Sequence, residues 1–334
     1  LGTGVLELLG VAGEDLPGAV SVRRVDPVRH PARSVVHQPP KPTPAFSLAG
    51  VQLKLPMSLD RQDRLTLSLP GELSDWFLKV PTGDRYRGLA QNEAATMNWA
   101  RHAGFSVAEC VVRSDVPAVD GLDGMTGAPC LLVRRFDRGV GGKIHQEDLA
   151  QAQWLDPEQK YPRDTGGSTF DDASEKRRRG LASAEGMARY AARLLGTDGV
   201  VEYLRRFVFV VASGNGDAHL KNWSLVYPDR RRPTWSPLYD QVSTVAWHDS
   251  TLACPLFGIR NFAAIARSAV VRMAVEAGCP LETAEAELTA SIERCRHAWD
   301  SATADVPHLP DHRLRLIHHW SSVPLLRSHG ALGR

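Results

Sequence analysis

The chain has 334 residues, of which 43% are apolar and 23% charged, and its formal net charge is +2. That is enough apolar material for one large domain or two moderate ones, and it excludes a disordered chain or a polyelectrolyte built to bind nucleic acid. The longest apolar runs, such as FVFVVA at 207–212, fall far short of a membrane span.

The first residues, LGTGVLELLGVAGEDLPGAV, carry acids early and have no basic stretch before an apolar run. No secretory signal is therefore expected, and without an initiator Met the chain reads as trimmed. Residues 1–27 suit a short helix followed by a strand-like alternation, GAVSVRRVDP. The proline-rich stretch that follows, to residue 45, reads as an extended linker. SLAGVQLKLPMSL, RLTLSL and WFLKVP then alternate like strands of an antiparallel sheet, with turns at 59–62 and 70–75. The 3.6-residue period of LAQNEAATMNWARHA predicts a helix over about 89–103, stopped by Gly104. SVAECVVRS and PCLLVRRFD return to strands. After residue 140, QEDLAQAQW, SAEGMARYAARLLG, GVVEYLRRFVFVVA, RNFAAIARSAVVRMAVEAG and PLETAEAELTASIERCRHAWDSA all show helical periodicity. The polar segment 156–180 reads as a long loop. The basic runs EKRRRG and DRRRP have no interleaved aromatics and read as solvated loops, so DNA is not expected as a direct partner. The five cysteines, Cys110, Cys130, Cys254, Cys279 and Cys295, are odd in number and form no C-x-x-C. They point to buried thiols in a reducing, cytoplasmic setting.

One stretch is dense in chemistry. SGNGDAHLKNW places Asp217 and Asn222 five residues apart directly after an apolar helix. A polar turn capping that helix is one reading. The other is a phosphoryl-transfer loop, in which an aspartate accepts or orients a hydroxyl proton and an asparagine oxygen meets Mg2+. On that reading Lys221 steadies a phosphate and His219 fixes the loop. WSLVY, PDRRRP and TWSPLYD then form strand, turn and strand, and this hairpin would set Asp240 beside Asn222 as a second metal ligand. Lys79 in WFLKVP is either a lysine snorkelling from a sheet edge or the lysine on nucleotide phosphates. In the second case it needs a carboxylate partner, and Glu93 supplies one unless it lies on an exposed face. FSLAGVQLK offers Gly50, Val51, Gln52 and Lys54 as a glycine-containing phosphate loop. LLVRRFDR marks the passage from sheet to helices, where Phe136 is either a core side chain or a surface for adenine.

FSLAGVQLK, WFLKVP, NEAATMNWARHAG, VRRFDR, HQEDLAQA, NGDAHLKNWSL and SPLYDQVST occur together and in the order found in HipA-type toxin serine/threonine kinases. The resemblance covers about residues 1–245. It implies a two-lobed, protein-kinase-like α+β fold. Residues 1–27 would be the end of an amino-terminal subdomain, 28–137 a sheet-rich lobe and 138–334 a helical lobe. It implies ATP and Mg2+ as cofactors, with Asp217 catalytic, Asn222 and Asp240 as metal ligands and Lys79 on the phosphates. Gln52 and Lys54 fall in the phosphate loop, Arg135 and Phe136 at the adenine contact, and Ser47 at the site of self-inactivating autophosphorylation. It implies a helix-turn-helix, HipB-like antitoxin as partner, with DNA reached only through it. It further implies a translation protein such as an aminoacyl-tRNA synthetase as substrate, and a separate small protein supplying the missing amino-terminal subdomain.

Three rival readings use the same residues. Aminoglycoside- and choline-type phosphotransferases share the G-D-x-H-x-x-N pattern that Gly216–Asn222 satisfies. A pseudokinase corepressor would have no need of Lys79, Asp217, Asn222 and Asp240 together. A chance polar loop in a mixed α+β domain would not reproduce type, order and spacing at once.

Overall fold

The computed structural model describes residues 13–22, 52–62, 64–68, 72–81, 86–114, 128–155 and 180–333. The proline-rich stretch, the segment holding Ser47, Gly50 and Val51, and nearly all of the polar segment 156–180 lie outside the described residues. The chain divides into two compact units, Leu1–Arg85 with Glu109–Gln146, and Tyr86–Ala108 with Glu147–Arg334. The division differs from a single cut at residue 137, because the helix following Arg85 belongs to the second unit.

The first unit is an antiparallel sheet of β1 (Gln52–Leu59), β2 (Leu65–Leu67), β3 (Trp76–Pro81), β4 (Cys110–Arg113) and β5 (Cys130–Arg134), in the order β2-β1-β3-β5-β4. Alternation does the sorting. Leu55 and Met57 of β1, Leu78 and Val80 of β3, and Cys130 and Leu132 of β5 are buried together in one apolar cluster. The intervening residues, Lys54 and Lys79 among them, take the other face. A short hairpin, β6 (Arg138–Gly139) with β7 (Gly142–Lys143), follows.

Segment 13–22 is fastened to this unit by charge. The Asp15 carboxylate pairs with Arg135 at 3.0 Å and Arg138 at 2.7 Å. Asp137 pairs with the same two guanidinium groups at 2.9 and 2.8 Å and accepts from the Gly18 amide at 2.8 Å. Burial pushes the Asp137 carboxyl up, but the hydrogen bond and charge of Arg135, helped by Arg138, hold it below the usual carboxylate range.

The second unit is mostly helical. It contains α1 (Leu89–His102), α2 (Leu149–Ala152), α3 (Ala184–Ser213), α4 (Arg267–Glu276), α5 (Leu281–Asp305), α6 (Pro310–Ser322) and α7 (Pro324–Arg327). The helix expected over 89–103 ends where Gly104 predicted. The expected helix over RNFAAIARSAVVRMAVEAG begins only at Arg267, because Thr251–Leu256 and Ile259–Asn261 form an antiparallel hairpin, β11 with β12, ahead of it. The hairpin read from WSLVY and TWSPLYD is present as β9 (Ser224–Tyr227) and β10 (Thr234–Trp235). β8 (His145–Asp148), on which the chain passes from one unit to the next, completes a three-stranded sheet in the order β10-β9-β8. The core of the second unit is aromatic: Trp99 meets Phe209 and Trp299 edge-on at 5.4 and 4.8 Å, and its indole N–H donates to the Cys295 carbonyl. All five cysteines are free thiols and all but Cys110 are buried.

Candidate active site

α3 carries the chain to the polar loop and stops abruptly. Residues 207–212 are buried apolar side chains, and Gly214 ends the helix in the left-handed region at φ 60°. A side chain at 214 would also meet both Val245 methyls at 2.6 Å. From 211 to 220 only Asp217 is exposed, its side chain 51% accessible. The loop therefore presents one carboxylate and buries everything around it.

The loop holds itself. The Asp217 carbonyl accepts from the His219 amide at 2.7 Å and from the Asn222 side-chain nitrogen at 2.8 Å. The second bond orients the Asn222 amide and leaves its oxygen for another partner. The His219 ring nitrogen Nε2 stands 3.9 Å from an Asp217 carboxylate oxygen, and His219 itself is buried. The Trp223 indole N–H donates to the Ala218 carbonyl.

Asp240 is brought to this loop from both sides. On one side, the Tyr239 hydroxyl donates to the Lys221 carbonyl at 2.7 Å. Its single proton is thereby used, so in the 2.5 Å contact with Ser224 the serine hydroxyl is the donor. On the other side, the Gln241 amide nitrogen donates to the Tyr239 carbonyl, and its oxygen accepts from Asn215 at 3.3 Å. The Asn215 oxygen in turn accepts from the Asp217 amide at 3.0 Å. Asp240 thus sits between two anchored neighbours, with its own backbone left-handed at φ 51°, a conformation that Asp tolerates better than most residues. Asp217, Asn222 and Asp240 share one hydrogen-bonded frame. Sequence reasoning missed Asn215, Tyr239 and Gln241, which make it. Their adjacency to Asp217 and Asp240 was the available signal.

Lys221 lies close enough to Asp148 to lower that carboxyl electrostatically, although burial is the larger effect and leaves Asp148 above its usual range. Asp148 caps α2 by accepting from the Gln151 amide at 2.8 Å. Among the described residues no cluster of three or more His, Cys, Asp or Glu side chains could hold a metal ion. An amide oxygen from Asn222 and a carboxylate from Asp240 are hard donors, and Mg2+ in phosphoryl-transfer sites takes only one or two protein ligands beside water and phosphate oxygens. The donor set fits that ion.

In the first unit, Lys54 and Lys79 are direct cross-strand partners in the β1–β3 register, so both lie on the face opposite the apolar cluster. Lys79 is buried. Gln52 opens β1 opposite Pro81. Glu93 is buried on α1 of the second unit rather than on an exposed face. Phe136 is half-buried in the turn after β5. Arg135, expected at the nucleotide, has its guanidinium wholly buried against Asp15 and Asp137 and 4.4 Å from the Phe77 ring centre.

The fold matches the HipA toxin in the Shewanella oneidensis MR-1 complex of HipA, HipB and operator DNA. The TM-score is 0.67 and the identity 22%, over 95% of this chain and 76% of that one. The HipA-like C-terminal domain matches residues 46–302, and the chain belongs to that family. Its curated relatives include "Putative kinase Y4dM" of Sinorhizobium fredii, 34% identical over 316 residues, which is 90% of this chain and 71% of the relative. "Putative kinase Y4mE" of the same organism is 38% identical over 209 residues, 61% of this chain and 44% of the relative.

Proposed function

We propose that the chain is an ATP-dependent serine/threonine-protein kinase, the toxin of a toxin–antitoxin pair. The observation that carries this reading is the frame that ties Asp217, the one exposed residue of 211–220, to Asn222 and to both neighbours of Asp240. Asp217 accepts the proton of a substrate hydroxyl as that oxygen bonds to the γ-phosphorus. The bond from phosphorus to the bridging oxygen breaks, and ADP leaves with the electron pair. Asp217 then returns its proton to solvent through its exposed side. His219 and the Asn222 side chain keep the loop in shape. Asn222 and Asp240 would hold Mg2+, which when bound neutralises charge on the phosphates. Gly50, Val51, Gln52, Lys54 and Lys79 are the proposed phosphate-binding residues. Phe136 and its backbone neighbours take the adenine.

Ser47 is the self-modification site on this reading. A phosphate there adds roughly −1.5 to −2 charges and repels the triphosphate. The likeness to a HipA solved with HipB and operator DNA supports a helix-turn-helix antitoxin as partner, with DNA bound through it. A translation protein such as an aminoacyl-tRNA synthetase is the proposed substrate, and the cytoplasm the proposed site of action.

The test is to incubate the purified chain and its Asp217→Asn variant with Mg2+ and labelled ATP, then map phosphate by mass spectrometry. Phosphate on Ser47 in the parent, with at least a 10²-fold loss in the variant, is expected. Transfer only to small hydroxylated molecules would replace the reading with a small-molecule phosphotransferase. Absence of ATP binding would end the kinase reading.

A further inference from the structure

Asn92 lies on α1, one residue before Glu93, and is completely buried. Its side-chain oxygen accepts from the Ser243 amide at 2.8 Å, and its nitrogen donates to the Ser243 carbonyl at 3.4 Å and to His312 Nδ1 on α6 at 3.2 Å. One planar amide thus satisfies both backbone groups of a residue 151 positions away, which a carboxylate or a hydroxyl cannot do in the same geometry. Ser243 stands three residues beyond Asp240. The next residue, Thr244, docks on the other half of the site: its hydroxyl accepts from the Gly216 amide at 2.7 Å and donates to the Gly214 carbonyl at 3.1 Å. The Val245 amide also donates to Gly214 at 3.3 Å. A continuous path therefore runs from α1 through Ser243 and Thr244 to the amide immediately before Asp217.

We propose that Asn92 is a positioning residue, clamping segment 240–245 to α1 so that Asp217 and Asp240 keep their mutual register. The role in catalysis rests on the kinase reading above; the clamp does not. α1 offers its own control. Thr96, one turn further along, donates its hydroxyl to the Asn92 main-chain carbonyl and meets His308, so among the described residues it touches neither the Asn92 side-chain amide nor either loop.

Hydrogen exchange of the full chain decides the matter without activity. Asn92→Ala should raise exchange about tenfold in peptides covering 213–223 and 239–246, and leave α5 peptides unchanged. Asn92→Asp keeps the acceptor for Ser243 N–H, loses both donors and should fall between, which covers the case in which the alanine variant does not fold. Thr96→Val should leave both loops as in the parent. Where the parent transfers phosphate, Asn92→Ala should lower kcat about 10²-fold with the KM for ATP changed much less. Unaltered exchange in both loops, or equal loosening by Thr96→Val, overturns the proposal. Absence of transfer in the parent sinks only the kinase reading, and the exchange result still stands.

Discussion

Gly216 shows how narrowly the loop is built. A β-carbon there would lie 2.5 Å from the Thr251 carbonyl oxygen, 2.7 Å from the Thr244 hydroxyl and 2.8 Å from an Asp249 carboxylate oxygen. The nearest obstacle is backbone, so the loop has to move instead. Gly216→Ala should destabilise the chain by about 1–3 kcal/mol and lower phosphate transfer about 10²-fold. Urea unfolding and a transfer assay check the two effects separately, and parent-like transfer in a folded variant would show that the Asp217 turn tolerates displacement. Asn215 and Gln241 illustrate a second economy: each uses both ends of its amide, and together they carry one hydrogen-bond path from the Asp217 amide to the Tyr239 carbonyl.

Among elements, a buried ionic cluster fastens segment 13–22, alongside bonds from Ser74 to Asp15 and from Lys143 to Leu16, Val20 and Ser21. Asp137 faces two guanidinium groups that are themselves almost wholly buried. Removing its charge leaves them under-compensated, and breaking such a pair from one side typically costs about 3–5 kcal/mol. Asp137→Asn should lose stability of that order and expose segment 13–22 to limited proteolysis, and a variant as protease-resistant as the parent would refute this. The cluster also marks where sequence reading stops. Alternation in QLKLPMSL and WFLKVP, the period of LAQNEAATMNWARH and the turn residues of PDRRRP were local signals, and the strands, α1 and the β9–β10 hairpin follow them. Nothing local in VRRFDR says which arginine is inside, because its partner Asp15 is 120 residues distant. β8 was equally silent, since His-Gln-Glu-Asp has no apolar alternation and becomes a strand only by pairing. The Asp217–Asn222 spacing was legible, whereas the Asn92 clamp joins residues 151 positions apart and leaves no motif.

Taken whole, the helical unit relies on neutral histidines in its interior. The Thr96 hydroxyl gives its only proton to the Asn92 carbonyl, so His308 Nε2 must donate to Thr96. Nδ1 is then bare and buried, and the ring stacks on Trp299. Burial above all, with the charges of His312 and Arg313, lowers the His308 pKa to about 3. His312 and His319 are shifted the same way, chiefly by burial. The unfolded chain therefore binds these protons first. Stability is complete above the ordinary histidine value of 6.5 and declines as pH falls from there toward 3. His308→Gln should flatten that decline by up to about 1.4 kcal/mol per pH unit, read from urea midpoints at pH 7 and pH 5. An unchanged slope would show that His308 is already protonated in the fold. α6, which supplies His312 and His319, lies beyond the family match that ends at residue 302, so this acid sensitivity belongs to the tail of the chain.

The lysines facing each other across β1 and β3 have one more effect, on folding fidelity. Slipping β1 by a single residue would turn Lys54 into the layer of Leu78, Val80 and Leu132 and turn Leu55 and Met57 out of it. An unpaired ammonium in hydrocarbon costs several kcal/mol, and the displaced apolar side chains add to that. These two lysines also proofread strand pairing, so replacing Lys54 with leucine would remove a penalty against misregistered sheets as well as a charge.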